Sequence, residues 1–190
     1  MPVRKHLIVL SAPSGAGKTT VARHLLRALP NARFSVSATT RPMRPRENNG
    51  KDYYFLSKED FEGRIEAGDL IEYEQIFGNY YGTLRSQVQR ALDNGQIMIF
   101  DVDVKGALSL QKAFPDDTFL LFIAPPSKAE LEHRLRSRST ESEEQLRMRL
   151  ERVDMELDLQ DLFDAVIVND ILPETLAQAE RLVRKTIENT

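Results

Sequence analysis

The sequence predicts an α/β protein: a parallel sheet flanked by helices, interrupted by a mixed, mostly β insertion and by a helical lid. Three observations carry this prediction. Short apolar, β-branched runs alternate with amphipathic helical patterns along the 190 residues, as parallel strands joined by crossover helices require. The first such run, His6-Leu7-Ile8-Val9-Leu10, passes through a glycine-bearing loop ending in Gly17-Lys18-Thr19 and enters the helical pattern Val21-Ala22-Arg23-His24-Leu25-Leu26. Two stretches break the alternation: 34–83, with strand patterns around a proline-bearing loop, and 127–149, with arginine-rich helices around a small polar turn. The expected division is therefore a core (1–33, 84–126 and 150–190), an insertion (34–83) and a lid (127–149).

A strand, a glycine-bearing loop and a helix in that order make a P-loop, so the sheet is expected to be of the P-loop NTPase type. Ala12, Pro13, Ser14, Gly15, Ala16, Gly17, Lys18, Thr19 and Thr20 are the expected contacts to the triphosphate. Glycines let the backbone curl around an oxyanion, successive amide N–H groups point at phosphate oxygens, and the helix N-terminus adds about half a positive charge. Lys18 is expected to reach the β- and γ-phosphates, and Thr19 to offer its hydroxyl to Mg²⁺. Ala12 stands where the strictest form of the pattern has glycine, so the match is to the relaxed form. The loop alone leaves kinase, GTPase and motor open.

Composition narrows the class. The chain is 41% hydrophobic and 29% charged with a net charge of −3, and its pI is near 5.7; this argues against a general polyanion binder, and no nucleic-acid partner is expected. The absence of cysteine rules out disulfides and thiol chemistry and fits a reducing compartment. No apolar run approaches the roughly 20 residues of a membrane helix, and the N-terminus runs into the first strand with no signal-peptide pattern. The expectation is a cytoplasmic enzyme or binding module with no membrane partner.

After the first helix ends near Leu29-Pro30-Asn31, Phe34-Ser35-Val36-Ser37 reads as a short strand. Residues 39–50 contain two prolines and no hydrophobic periodicity. Polyproline geometry, with about three residues per turn, would place Arg41 and Arg44 on one side. Two converging guanidinium forks suit a phosphate; a solvated basic loop is the plain alternative. Lys51-Asp52-Tyr53-Tyr54-Phe55-Leu56 reads as a strand, and Ser57-Lys58-Glu59-Asp60 opens a helix that closes at Gly68. Residues 70–76 alternate like a strand with one polar face, and 78–83 give a turn and a short strand.

Residues 84–94 read as a helix capped by Gly95. Gln96-Ile97-Met98-Ile99-Phe100-Asp101 is a buried strand ending in a carboxylate, where a P-loop protein places the second acid of its Mg²⁺ site. Asp103 shares a face with Asp101 if the extended conformation persists. Residues 118–124 form another buried strand, stopped by Pro125-Pro126. Ser127-Lys128-Ala129-Glu130 is a capping box opening a helix with Arg134 and Arg138 at i, i+4. Past Ser139-Thr140-Glu141, a second box at 142–145 opens a helix with an apolar stripe at Leu146, Leu150, Val153 and Leu157. The pair fits a mobile cover over a phosphate site, with Arg134, Arg138 and Arg149 facing inward; ordinary solvated charges are the alternative. Residues 165–169 are the last strand and 172–189 a closing amphipathic helix, and the ligand is expected at the carboxyl ends of the strands.

Four stretches are far more selective than the P-loop: Ser-Ala-Thr-Thr-Arg-Pro-Met-Arg-Pro at 37–45, Lys-Asp-Tyr-Tyr-Phe at 51–55, Gly-Asn-Tyr-Tyr-Gly-Thr at 78–83 and Asp-Val-Asp-Val-Lys-Gly at 101–106. Through them the chain resembles the guanylate kinases, P-loop enzymes that pass a phosphoryl group from ATP to GMP, and the likeness runs from the P-loop to Asn169. The resemblance implies that Ser37, Glu72, Thr83 and Asp103 hold guanine, while Arg41, Arg44, Tyr53 and Tyr81 hold the GMP phosphate. It implies a place for Asn169 near the ATP base, and Mg²⁺ held by Thr19 and, through water, Asp101. Lys18, Arg41, Arg44, Arg134, Arg138 and Arg149 become the catalytic cations, with Arg134 and Arg138 reaching ATP, and Arg138 and Arg149 reaching GMP. The insertion becomes a GMP-binding region. Arg46 and Ser139 depart from the family, which usually has glycine at both places.

The chemistry gives these implied roles sense. Guanine offers N1–H and N2–H₂ as neighbouring donors, and a carboxylate such as Glu72 can accept both; adenine, with no N1 proton, would leave a buried acid unpaired. No general base is required when the acceptor is already a phosphate oxyanion, so His6, His24 and His133 receive no catalytic role. Two other readings stay open at this point. One is a guanylate-kinase-like module that binds protein partners without catalysis, against which the intact Gly17-Lys18-Thr19 counts. The other is a ribose-phosphate kinase, which has no need of Glu72, Asp103 and the tyrosine pair.

Overall fold

The structure is a computed structural model that describes residues 5–76, 78–136 and 143–188, with the side chains of 143–149 outside the description. At its centre β1 (Leu7–Ser11) is buried along its whole length. It pairs in parallel with β7 (Ile97–Asp101) on one side and β8 (Thr118–Ala124) on the other, Ile8 standing opposite Ile99 and Phe119. Outside these lie β2 (Ala32–Phe34) and β9 (Ala165–Val168), also parallel, giving the order β2-β7-β1-β8-β9. Its three central strands are buried on both faces, which is why they read as continuous apolar runs, while β2 and β9 at the edges are partly exposed.

The period-2 geometry of β1 divides the core. Ile8 and Leu10 pack with Val21 and Leu25 of α1 (Lys18–Ala28) and with Ala179 and Val183 of α7 (Leu172–Glu188). Leu7 and Val9 face the other way, toward Val88 of α3 (Arg85–Asp93) and Ala107 and Leu110 of α4 (Val104–Ala113). The sequence reading assigned no helix or strand to 104–113. Its helix is short and carries Gly106, but Asp103 caps it, accepting the Gly106 N–H at 2.8 Å, and buries Val104, Ala107 and Leu110 at helical spacing.

Residues between β2 and α3 make a second sheet of mixed sense, in the order β4-β3-β6-β5. It is built from β3 (Ala38–Thr39), β4 (Tyr54–Phe55), β5 (Leu70–Ile76) and β6 (Asn79–Leu84). Under it lies α2 (Lys58–Glu66), started by the Ser57 hydroxyl accepting the Asp60 N–H at 3.0 Å. Phe61 is fully buried there and stacks on Tyr80 at 5.2 Å, closing a separate small core with Ala38 and Leu84. The strand expected at 34–37 is not formed: 35–37 are irregular and connect β2, which ends at Phe34 in the parallel sheet, to β3, which starts at Ala38 in the mixed one. The expected strand at 51–56 shrinks to β4, because Lys51 and Asp52 close a turn on the Asn48 carbonyl.

The lid-side helices are α5 (Lys128–Arg136), capped by Ser127 as expected, and α6 (Glu143–Asp158). Val153 is buried, and Leu150 and Leu157 pack on the core, as the apolar stripe required. Leu146 lies outside the described side chains. No described helix is long and apolar enough to cross a membrane.

The loop before β4 is a turn where polyproline geometry was expected. The Glu47 N–H closes on the Arg44 carbonyl at 3.1 Å, with Pro45 second and Arg46 third at φ 78°. That is the type II pattern, whose third position favours glycine. Arg46 therefore occupies the left-handed region in which an L side chain costs about 1–2 kcal/mol. Arg46→Gly is expected to leave stability unchanged or raise it, whereas Arg46→Val should lower it by about 1–2 kcal/mol. Urea unfolding of both variants checks this, and equal losses would mean that the turn is not strained.

Candidate active site

The site begins at the carboxyl end of β1. The chain turns there through Gly15 at φ 92° and Gly17 at φ 101°, and Gly17 is the N-cap of α1 with no side chain to satisfy the helix amides. The Thr20 and Val21 N–H groups close on the Gly17 carbonyl at 3.0 and 3.2 Å, and those of Lys18 and Thr19 are left for a ligand. Glycine is required at 17 for a second reason: a Cβ there would meet Nδ2 of Asn169 at 2.3 Å. Asn169 is buried and donates from that nitrogen to the Ala16 carbonyl at 2.7 Å, so it braces the loop from behind. Its own carbonyl accepts Arg134 Nη1 at 3.2 Å, while Arg134 Nε is held by Glu130 at 2.8 Å.

Lys18 and Thr19, first on α1, meet the end of β7. Lys18 Nζ donates to the Val102 carbonyl at 2.7 Å and lies 3.0 Å from Asp101 Oδ1. Thr19 Oγ1 donates to Asp101 Oδ2 at 3.0 Å. A hydroxyl and a carboxylate side by side at the phosphate loop are hard oxygen donors of the kind Mg²⁺ takes. Among the described residues no cluster of three or more His, Cys, Asp or Glu is placed to hold a metal, so the remaining ligands would be phosphate oxygens and water.

A cleft of about 480 Å³ opens in front of this loop, lined by 12–15, 17–20, Asp103, Arg152, Val153 and Glu156. A second, of about 800 Å³, lies between β5, the start of α4 and α6. The two share Asp103, Arg152 and Glu156. Glu72 lies in the second cleft. A register shift between Leu70 and Glu72 brings it opposite Thr83, whose hydroxyl donates to Oε1 at 2.6 Å. Burial pushes the Glu72 carboxyl above the ordinary range; the Thr83 bond opposes this, and the charges of Asp103 and Glu74 add to it. Gly106 makes room, since a Cβ there would sit 3.2 Å from Asp103 Oδ1 and 3.5 Å from Glu72 Cγ. Two acids thus flank one helix start.

Arg41, Arg44, Tyr53 and Tyr81 gather elsewhere and line neither cleft. Arg41 grips Glu47 with both ends of its fork, at 2.7 and 3.0 Å, and lies 5.3 Å from the Tyr53 ring, which meets Tyr81 edge-on at 6.0 Å. The Arg41 bond holds the Glu47 carboxyl below its usual range, helped by the Arg44 N–H. Arg44 is exposed on the turn beside it. Ser37 gives its carbonyl to Tyr54 N–H at the β3–β4 pair. Arg138 and the side chain of Arg149 lie outside the described residues. Sequence reasoning missed Arg152 and Glu156, which sit where the clefts meet; the only signal was their place one and two turns beyond Arg149 on an expected lid helix.

Comparison with known proteins shows the family. The family model described as guanylate kinase matches residues 4–186. A guanylate kinase of Salinibacter ruber is 50% identical over 190 residues, covering both chains completely, and one of Chlorobium luteolum is 54% identical over 170 residues, 90% of this chain and 86% of that one. The crystal structure of guanylate kinase from Anaplasma phagocytophilum superposes with a TM-score of 0.71 at 32% identity, over 96% of this chain and 86% of its own. With its P-loop, its paired clefts and a family match across nearly its whole length, the chain belongs to the guanylate kinase family.

Proposed function

We propose that this protein transfers the γ-phosphoryl group of ATP to GMP, giving ADP and GDP. The observation that carries the reading is the shared wall: a P-loop cleft and an acid-bearing cleft meet at Asp103, Arg152 and Glu156. In this reading ATP lies along residues 12–20 with its phosphates on the Lys18 and Thr19 amides at the start of α1. The purine of GMP enters the second cleft, where ionised Glu72, aligned by Thr83, accepts N1–H and one hydrogen of the 2-amino group. Asp103 takes the other. Arg41, Arg44, Tyr53 and Tyr81 receive the GMP phosphate, which replaces the Glu47 carboxylate as the anion in the Arg41 fork. Residues 34–83 then act as the GMP-binding region and 127–149 as the lid, with Arg134, Arg138 and Arg149 as its cations.

The reaction needs alignment and charge neutralisation more than proton transfer. A GMP phosphate oxygen attacks the γ-phosphorus in line, the bond to the β–γ bridging oxygen breaks, and ADP leaves with that electron pair. Lys18 stabilises the charge that builds on the transferred group. Thr19 and Asp101 would hold Mg²⁺, which supplies Lewis-acid neutralisation of the phosphates when bound. Since the Arg41 group stands outside both clefts, the insertion must swing toward the P-loop to bring donor and acceptor together and exclude water.

Lys18→Met should leave the fold intact and lower turnover with ATP and GMP by roughly 10³-fold or more; near-normal turnover in a coupled assay would refute the P-loop assignment. Glu72→Gln should weaken GMP selection by about 2–4 kcal/mol, because a charged acceptor becomes a partly mismatched amide. Glu72 also sets a pH dependence. Its raised value means that the native state holds this proton more tightly than the unfolded chain. The stability it contributes is complete below the ordinary carboxylate value and is lost as pH rises through the raised one. GMP needs the ionised form, so its KM should climb as pH falls through that same raised value, and Glu72→Gln should flatten the climb. Solution scattering with a bisubstrate analogue should show a smaller radius of gyration than the free protein; no change would count against closure.

A further inference from the structure

Arg152 lies on α6, in neither the P-loop nor the insertion, yet it touches the walls of both clefts. Its Nη2 donates to Asp103 Oδ2 at 2.9 Å, its Nε to Glu156 Oε1 at 3.1 Å, and its Nη1 stands 3.9 Å from Glu74 Oε1 on β5. One guanidinium therefore joins the helix that follows the lid, the cap of α4 and an edge of the GMP-binding sheet. The other oxygen of Asp103 is committed to the Gly106 N–H. Both carboxylate oxygens are thus fixed in direction, and each keeps a lone pair for a further donor.

We propose that Arg152 is a positioning residue for guanine recognition: acting through Asp103, it aims that carboxylate at the 2-amino group and ties base reading to the lid-side helix. The proposal rests on the GMP kinase reading above and deepens it. The charge count at the cleft supports it. Glu72, Glu74, Asp103, Glu151 and Glu156 line the second cleft together with two cations, Lys105 and Arg152, and Lys18 across the P-loop cleft is already paired with Asp101. Arg152 is the cation that bonds Asp103; without it these acids would outnumber Lys105 five to one, and Asp103 would turn toward water. Lysine keeps the charge but loses the fork that spans Asp103 and Glu156 together. Glu156, held by burial above its usual range against the pull of Arg152, is the strut that sets the fork's orientation.

The test compares GMP with IMP, whose hypoxanthine keeps N1–H and lacks the 2-amino group. Arg152→Met should raise KM for GMP and shrink the preference for GMP over IMP by about tenfold, the size expected when one aligned polar contact is lost. KM for ATP should rise by less than KM for GMP, because Arg152 lines the P-loop cleft but spends its hydrogen bonds on Asp103 and Glu156. Arg152→Lys should recover part of the preference. Glu156→Gln should shift it in the same direction, and the Arg152→Met/Glu156→Gln double variant should be no worse than Arg152→Met, because the two side chains act as one unit. A general structural weakening would lower the melting temperature without altering base preference. Unchanged GMP:IMP preference in a folded Arg152→Met protein would overturn the proposal. So would a fall in kcat with KM for GMP intact, which would place Arg152 on the transferred phosphoryl group. Failure of the unmodified protein to phosphorylate GMP would instead sink the parent reading.

Discussion

The rest of this structure hangs on a left-handed turn at the end of a buried strand, locked by one amide. β1 is fixed by parallel partners on both sides, so its last residue delivers the chain to a single place. Gly15 and Gly17 then adopt positive φ, and Asn169, arriving from the end of β9, fills the space that a side chain at 17 would need and bonds to Ala16. The orphan amides at the start of α1 are therefore held open by the interior of the protein. Because Asn169 also carries Arg134 on its carbonyl, the base of the lid-side helix α5 is referenced to the same point. Gly15 adds to this, since a Cβ there would press on Leu131 and Leu135 of α5 at 3.2 and 3.1 Å.

Charge is distributed around that turn in a complementary way. The P-loop cleft offers main-chain dipoles and Lys18, both suited to anions. The second cleft offers carboxylates, suited to hydrogen-bond donors, and burial makes two of them, Glu72 and Glu156, costly to ionise. Glu72 shows the cost directly in its raised affinity for a proton. Arg41 shows the reverse arrangement: a cation whose partner is the local carboxylate of Glu47.

Much of this could be read in the chain because the signals were local. The P-loop is contiguous, so Gly15, Gly17, Lys18 and Thr19 announce their roles by spacing. β1, β7 and β8 are buried on both faces and read as unbroken apolar runs. Ser57 and Ser127 cap helices through bonds three residues away. Where the local signal was weak, the reading slipped: α4 was passed over because Gly106 lowers helix propensity and its first turn is secured by a single aspartate, and the strand expected at 34–37 is an irregular link between β2 and β3.

By itself the sequence determined the fold class, the phosphate loop and the family-defining stretches, since each depends on residues close together in the chain and on periodicities of 2 and 3.6. Only the tertiary structure decided what those residues face. The register shift before Glu72 turns it toward Thr83 and α4, Arg46 holds a turn that glycine usually serves, and Asn169 props the P-loop from 153 residues away. Arg152 is the clearest case. It reaches Asp103 49 positions earlier, and no periodicity encodes that distance, because the contact exists only once α6 has packed its Val153 side into the core and left the neighbouring arginine at the junction of the two clefts.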